Sequence, residues 1–585
     1  MNNSTDRKER VKNWLKDPYN LLFVLLILIT IGTRLYYFSL TMNQPTWWDE
    51  GDYLAVGKEI ALPSPERTEW WGHFAGIRPP LMPLVWAFFI KFGISEPAMR
   101  FLTEVVPSIL IVLFTYLLGA SLFNKKIGLI AGYSFSTYWV LQFYSYRFLT
   151  DIPTVLLAMI SLYYFWEYYE KQEKPKGLYL AVIFGVLAFL ARFTSFLIPF
   201  VIALYMLVTR RAKLFKDKHT LFAALVGILT LSVYFIYSKL TLGEWFPAGK
   251  FYLTQNATTY NTYAWFLLGY IKDFLGLIPF SFVVVGILYG LFRMAVSYDV
   301  FYKQGEKNYN AEYFLFLLLF VQIVYYVFIF KTGTDRWILL WMPAVFMYLG
   351  RGLELVGDYL KKYNKDFKVI LIIIVLLMLS FNFTAIESKI NANLFGGFIP
   401  QADQLIKTRI ASYKDVRDTG LWLRENTPEN AKIMAASIVQ NVYYSHRRSY
   451  DFYTGTEIQV QLNDSVLDPQ GRVISSTYKT LRNETELECK IVRIKPDYLV
   501  LHVWEPEFTP EFMYTYPVNR TDILTPMQAF QTSGQTTAII YKFTGYPVID
   551  PKKVNCTWVY ERELRGINSG KTLKDTSPER LIIPS

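Results

Sequence analysis

Long apolar runs separated by short basic clusters fix the class of fold before any single residue is considered. Residues 19–31, 314–330 and 369–379 are such runs. About 20 apolar residues in a helix cross the hydrocarbon core of a bilayer, and backbone buried there must satisfy its own hydrogen bonds. Charged residues make up 18% of the 585-residue chain, against about 25% in soluble domains, and the deficit comes from these runs. The chain therefore reads as a polytopic α-helical membrane protein. Its net charge of +12 raises nucleic acid as a partner. The excess Lys and Arg sit between apolar runs, however, which is the pattern of membrane topology rather than of a nucleic-acid surface. A basic linker facing anionic lipid accounts for each cluster.

The first run, residues 18–40, follows Lys8, Arg10, Lys12 and Lys16. The positive-inside rule places that end in the cytoplasm, and the run is too long for a cleaved signal. Residues 81–90 are apolar but cover only about half of the core, and Pro79, Pro80 and Pro83 crowd their start. Residues 41–100 thus read as a large external loop with helices lying in the interface. The alternative, a short true span, inverts everything after it. Further spans are expected over 101–123, 127–146, 152–169, 178–192, 193–208, 221–237, 263–294, 313–330, 338–349 and 369–383. Basic segments at 124–126, 171–176, 210–218, 303–307 and 351–368 lie inside. The loops at 239–262 and 331–337 lie outside. The total is about eleven spans, and an odd number leaves the tail outside. The sequons at Asn256, Asn463, Asn483, Asn519 and Asn555 all fall on that outer side.

The organisation expected is a membrane domain over 1–386 and an extracytoplasmic domain over 387–585. In the tail, residues 415–425 read as a helix stopped by Asn426-Thr427-Pro428. Residues 432–437, 498–503 and 538–543 read as strands, which makes a small α/β domain. Residues 566–585 are polar and read as loose. Cys489 and Cys556 both lie in the tail, where a disulfide forms if it faces an oxidising space; two thiols alone do not prove it. With no CxxC, no His/Cys cluster and only four His, a zinc site of the usual ligands is not expected.

Candidate site residues sit at span ends. Residues 45–53 read Pro-Thr-Trp-Trp-Asp-Glu-Gly-Asp-Tyr, so two tryptophans precede Asp49, Glu50 and Asp52. Trp favours the membrane–water interface, and carboxylates held there are costly enough to ask for a reason. The plain alternative is an aromatic anchor with solvated acids behind it. Arg147 and Asp151 are four apart and pair locally if they share a helix. Asp335-Arg336 fits a turn with a snorkelling arginine. Three such points on one expected face, however, match the usual behaviour of ionisable groups that line a site. Sugar transfer from a lipid phosphate needs such a set. A carboxylate takes the proton of the attacking hydroxyl, cations stabilise the departing phosphate, and the site lies at the interface where the lipid head rests.

These residues resemble the GT-C glycosyltransferases, specifically the protein O-mannosyltransferase/aminoarabinose-transferase group that uses polyprenyl-phosphate sugars, of archaeal type. The resemblance rests on Asp49-Glu50 with Tyr53 after the first span and on Arg78-Pro79-Pro80-Leu81. It rests also on Arg147-Phe148-Leu149-Thr150-Asp151-Ile152-Pro153 and on Asp335-Arg336-Trp337 with Pro343. Leu187-Ala188-Phe189-Leu190-Ala191-Arg192 matches a further segment. The resemblance implies Asp49 as general base, Glu50 shaping the pocket, and Asp151 orienting acceptor or sugar. It implies that Arg78 and Arg336 hold the donor phosphate, with Arg147, Tyr53 and Asp335 also at the substrate. It further implies inversion in one displacement, a dolichyl or other polyprenyl-phosphate donor, a protein, glycan or lipid acceptor, and no required metal or other cofactor. A divalent cation at Asp49-Glu50-Gly51-Asp52 is the exception to watch. Trp47-Trp48-Asp49 mimics the WWD motif of oligosaccharyltransferases, but theirs lies in the C-terminal domain and this tail has none. The competing readings are an oligosaccharyltransferase-like enzyme, a transporter or flippase of glycolipids, and a non-catalytic scaffold using the tail. Transporters favour mid-membrane charges and repeated halves, and neither is evident.

Overall fold

The computed structural model describes residues 12–63, 78–243, 245–246, 274–296, 307–329, 335–382, 384–390, 393–452, 466–467, 473–475, 481–503, 509–532, 534–549 and 556. Most of the loop 239–262, the front of 263–294, most of segment 303–307, residues 331–334, the sequons at Asn256, Asn463 and Asn555, and the stretch 566–585 lie outside the described residues.

The chain opens on α1 (Pro18–Thr41), started by Asp17, whose carboxylate accepts the Tyr19 N–H at 2.9 Å. Then come α2 (Trp48–Ala61) and α3 (Leu81–Lys91). Next are α4 (Glu96–Leu122), α5 (Lys125–Thr137), α6 (Trp139–Tyr144), α7 (Asp151–Tyr163) and α8 (Pro175–Ala191). They are followed by α9 (Phe193–Lys216), α10 (Lys218–Leu240), α11 (Leu277–Val296) and α12 (Asn310–Ile329). The helical part ends with α13 (Met342–Leu360), α14 (Phe367–Ser380) and α15 (Phe398–Arg409). Among the described residues six of these, α1, α4, α9, α10, α11 and α12, are long and apolar enough to cross a membrane. Their outer faces are greasy, as at Leu21, Leu25, Leu28 and Ile29 of α1, all about half exposed, which suits lipid rather than water. Helix α3 has 11 residues, about 16 Å at the helical rise, too short to cross.

Two expectations need correcting. The run 127–146 is not one helix: it breaks at Tyr138 (φ −56°, ψ 119°) into α5 and α6. The hydroxyl of Thr137 turns back onto the carbonyls of Tyr133 and Ser134 at the break. The run 338–349 begins as a 3-10 turn, Trp337–Leu340, and its helix continues to Leu360, so Arg351 belongs to a helix rather than to a linker.

The contacts divide the chain into two compact units: Met1–Asn43 with Glu96–Leu231 and Tyr260–Ile410, and Gln44–Ser95 with Ser232–Thr259 and Ala411–Ser585. In the first, α13 is the central helix, with Met342 to Leu349 all buried. It packs so tightly on α11 that a Cβ on Gly286 would fall 2.0 Å from the Tyr348 carbonyl oxygen, and one on Gly352 1.9 Å from that of Phe282. Arg351 pairs with buried Glu312 and, at 3.3 Å, with Glu354. Arg100 is fully buried and donates to the Thr41 and Met42 carbonyls at 2.9 and 3.0 Å, which satisfies the end of α1.

The second unit joins the first loop to the tail. The tail contains α16 (Lys414–Asn426), β1 (Lys432–Ala435), α17 (Ile438–Ser445), β2 (Arg448–Tyr450), α18 (Glu484–Ile494), β3 (Tyr498–His502), β4 (Leu524–Thr532) and β5 (Gln535–Phe543). Its sheet runs β2-β1-β3-β5-β4. The β1 strand is parallel to both β2 and β3, while β5 is antiparallel to β3 and β4. Helix α16 and the three expected strands are present. The strands β2 and β4 were not foreseen; β4 exposes most of its residues, so no buried apolar run marks it. Two apolar clusters form the core, one including Met434, Leu487, Leu499 and Tyr516 and the other Leu423, Ile433 and Val500. Cys489 and Cys556 form a disulfide. Helix α2 packs on α3 and on α17 of the tail.

Candidate functional site

In the second unit the acids open a helix. Asp49 and Glu50 occupy the first turn of α2, where the exposed N–H groups and the helix dipole favour negative charge. Glu50 is fully buried and accepts the Trp47 N–H at 3.2 Å, so it fastens the helix start. Arg78 reaches back to the same turn. Its Nη2 lies 3.1 Å from Asp49 Oδ1 and 2.5 Å from Asp52 Oδ2. The guanidinium also stands over the Tyr53 ring, 5.0 Å from its centroid. The two carboxylates that share it differ: the Asp49 side chain is 28% exposed and that of Asp52 1%. Burial pushes the Asp52 carboxyl up to about 6; Asp49 adds to the push and Arg78 opposes it. Asp52 Oδ1 has no hydrogen-bond partner among the described residues.

The first unit carries a second set. Asp151 opens α7 and is 3% exposed. Its ion-pair partner is Arg192, at 2.5 Å from Oδ1, rather than Arg147 four residues earlier. Its Oδ2 has no hydrogen-bond partner among the described residues. Arg192 follows the last turn of α8, and its guanidinium lies 5.8 Å from the Trp337 ring. Asp335 accepts the Tyr144 hydroxyl at 3.0 and 3.1 Å and the Arg336 N–H at 2.8 Å. Burial pushes its carboxyl above the ordinary range, against the pull of Tyr144 and Arg336, and the charge of Asp151 adds to the push. Arg147 is buried, donates to the Arg409 carbonyl at 3.4 Å and faces the Phe143 ring.

Each sequence-derived residue thus lies in one of two groups: Asp49, Glu50, Tyr53 and Arg78 in the second unit, Arg147, Asp151, Asp335 and Arg336 in the first. Two participants, Arg192 and Tyr144, were missed, and the sequence marks Asp52 only as one of the acids of this turn and a candidate cation ligand. Asp52 sits three residues after Asp49, on the same helix face, which was a usable signal. Arg192 ends an apolar run whose pattern assigns the arginine no role. Tyr144 carried no signal, being one aromatic among the 18% of the chain that is Phe, Trp or Tyr.

The family profile described as dolichyl-phosphate-mannose-protein mannosyltransferase matches residues 77–237, a stretch that takes in Arg78, Arg147, Asp151 and Arg192 but not Asp49. The Archaeoglobus fulgidus oligosaccharyltransferase tethered with an acceptor peptide superposes with a TM-score of 0.51 at 14% identity, over 91% of this chain and 75% of that one. ArnT from Cupriavidus metallidurans bound to undecaprenyl phosphate gives 0.50 at 11% identity, over 88% and 97%. The arabinofuranosyltransferase AftD from Mycobacteria gives 0.51 at 11% identity, over 89% of this chain but only 40% of its own length. A search of curated proteins finds no match. At these identities the likeness establishes the fold, and it is the GT-C fold that the motifs resembled. Glycosyltransferase is the class of the profile and of all three structures.

Proposed function

The chain is an integral membrane protein with the fold of the GT-C glycosyltransferases, and on that premise we propose that it moves a sugar from a polyprenyl (dolichyl) phosphate to an acceptor hydroxyl at the external membrane face. The observation that supports this most is Asp49: a carboxylate left partly exposed at a helix N-terminus while its neighbour Asp52 is sealed in, both on one arginine. Asp49 takes the proton of the acceptor hydroxyl as its oxygen attacks the anomeric carbon. The new glycosidic bond forms as the bond to the phosphate oxygen breaks, and the phosphate leaves with both electrons. Attack opposite the leaving group inverts the anomeric centre. Glu50 holds the helix start in place, Asp151 orients a hydroxyl of sugar or acceptor through Oδ2, and Asp335 and Tyr53 line the substrate. Arg78, Arg147 and Arg336 supply positive charge for the phosphate. A monophosphate leaving group neutralised in this way calls for no cofactor.

In this reading the chain crosses the membrane about eleven times, with a membrane domain over 1–386 and an extracytoplasmic domain over 387–585. The disulfide between Cys489 and Cys556 supports an oxidising surround for the tail, and the basic segment before α1 supports a cytoplasmic N-terminus. A reporter fused after Lys126 reads inside if this is right and outside if it is wrong.

The test of function is purified protein in liposomes, supplied with dolichyl phosphates carrying different single sugars, with products read by mass. Transfer of one sugar to a hydroxyl supports the assignment; no transfer from any of them contradicts it. Likeness to the Archaeoglobus oligosaccharyltransferase favours a second reading, an oligosaccharyltransferase-like enzyme. That reading instead expects a pyrophosphate-linked glycan to be moved to a sequon asparagine, with dependence on a divalent cation.

A further inference from the structure

The strand order of the tail sheet reverses at β1. From β1 the chain crosses through α17 to β2 on one side, while β3 later pairs on the other. In open α/β sheets ligands settle outside the carboxyl ends of the strands at such a switch point. The parallel register sets Ala435 opposite Val500, so Ser437 and His502, two residues beyond each, stand at one level of this edge. Helix α17 begins there, and its third residue is Gln440. Gln440 is fully buried, and neither its amide oxygen nor its amide nitrogen has a hydrogen-bond partner among the described residues. A buried amide left without partners is costly, so its presence asks for a group that completes it.

Gln440 also packs against helix α2 at Gly51. A Cβ placed on Gly51 would lie 3.2 Å from the Gln440 backbone nitrogen and 3.3 Å from its Cγ. Gly51 separates Glu50 from Asp52, so only a residue without a side chain lets α17 come this close to the turn that carries Asp49. Two contacts hold the helices in this register: Lys58 Nζ donates to the Tyr443 carbonyl at 2.9 Å, and the Thr46 N–H donates to the Tyr444 hydroxyl at 2.9 Å.

We propose that Gln440 is a specificity-determining residue that pairs with an uncharged hydroxyl or amide group of the acceptor, next to the helix whose first turn carries Asp49. The proposal rests on the sugar-transfer reading for the word acceptor. A glutamine amide offers both donor and acceptor atoms, so it is completed by a group that also offers both, as hydroxyls and amides do. The same chemistry is supplied by a peptide or by a glycan.

The test uses full-length protein in detergent and two probes, a threonine-rich peptide and mannobiose. The thermal midpoint is followed as each is titrated into the wild type and into Gln440→Met, which keeps the volume and removes the amide. One probe is expected to raise the wild-type midpoint, and which one it is distinguishes peptide from glycan. Gln440→Met is expected to need at least about tenfold more of that probe, with an unliganded midpoint equal to or above that of the wild type because the orphaned amide is gone. An unchanged probe response, a lower unliganded midpoint in Gln440→Met, or no response of the wild type to either probe overturns the proposal. A weakened probe response in Gln440→Met, together with a wild type that transfers no sugar from any dolichyl phosphate, keeps this proposal and sinks the transfer reading instead.

Discussion

The two acid–arginine groups answer the same problem, a carboxylate held away from bulk water, in different ways. In the second unit one arginine serves two acids of a single helix, and the sharing is uneven: Asp52 is sealed and Asp49 is left partly open. In the first unit the acids have separate partners, Arg192 for Asp151 and Tyr144 for Asp335. A base must meet its substrate and accept a proton, and of the two acids on Arg78 only Asp49, 28% exposed, is open enough for that. An acid that orients a hydroxyl needs a fixed position and an unpaired oxygen, and Asp151 is 3% exposed with an Oδ2 that has no hydrogen-bond partner among the described residues. Burial thus separates two neighbouring carboxylates on one short helix into an open and a sealed one.

This contrast breaks or sharpens in an ordered set of variants. Arg192→Gln leaves Asp151 buried and without its ion-pair partner, and should destabilise the protein by about 3–5 kcal/mol, read as a lower thermal midpoint. A change within error would mean that the Asp151 pair is not sealed. Arg78→Gln should cost less, about 2 kcal/mol, because Asp49 can be solvated and Asp52 can take up a proton. A loss as large as that of Arg192→Gln would erase the distinction between the groups. Tyr144→Phe removes one hydrogen bond to a half-buried carboxylate and should cost about 1–3 kcal/mol. The smallest effect concerns Asp52. Its carboxyl stands at about 6 in the fold against an ordinary 3.8, so the folded state holds this proton more tightly than the unfolded chain. Its stabilising contribution is complete at pH values below the ordinary one and is lost as pH rises through about 6. Asp52→Asn should flatten that fall in the thermal midpoint between about pH 4 and about pH 6; a parallel curve would show that Asp52 is not the group responsible.

Much of this was legible in the sequence because it is local. Apolar length announced α1, α4, α9 and α12. The stop at Asn426-Thr427-Pro428 announced the end of α16, whose last residue is Asn426, and the buried tail strands announced themselves by composition. What escaped depends on long-range partners. The break at Tyr138 is set by packing on Phe135, Phe346 and Phe398 rather than by a proline or glycine. Pairing of Asp151 with Arg192 joins residues 41 apart, where the sequence suggested only the neighbour Arg147. The docking of α2 on α17 links the first loop to the tail across nearly 400 residues, as the Thr46–Tyr444 bond shows with its separation of 398. No periodicity carries that information.

The most direct measurement compares wild type with Asp49→Asn in liposomes, given a dolichyl-phosphate sugar that the wild type uses. The change removes the base and nearly preserves volume, and Arg78 keeps Asp52. The account predicts that sugar transfer falls by about a thousandfold or more, while the thermal midpoint stays within a few degrees. Turnover within about tenfold of wild type at an unchanged midpoint would contradict the assignment of Asp49 as the group that takes the proton.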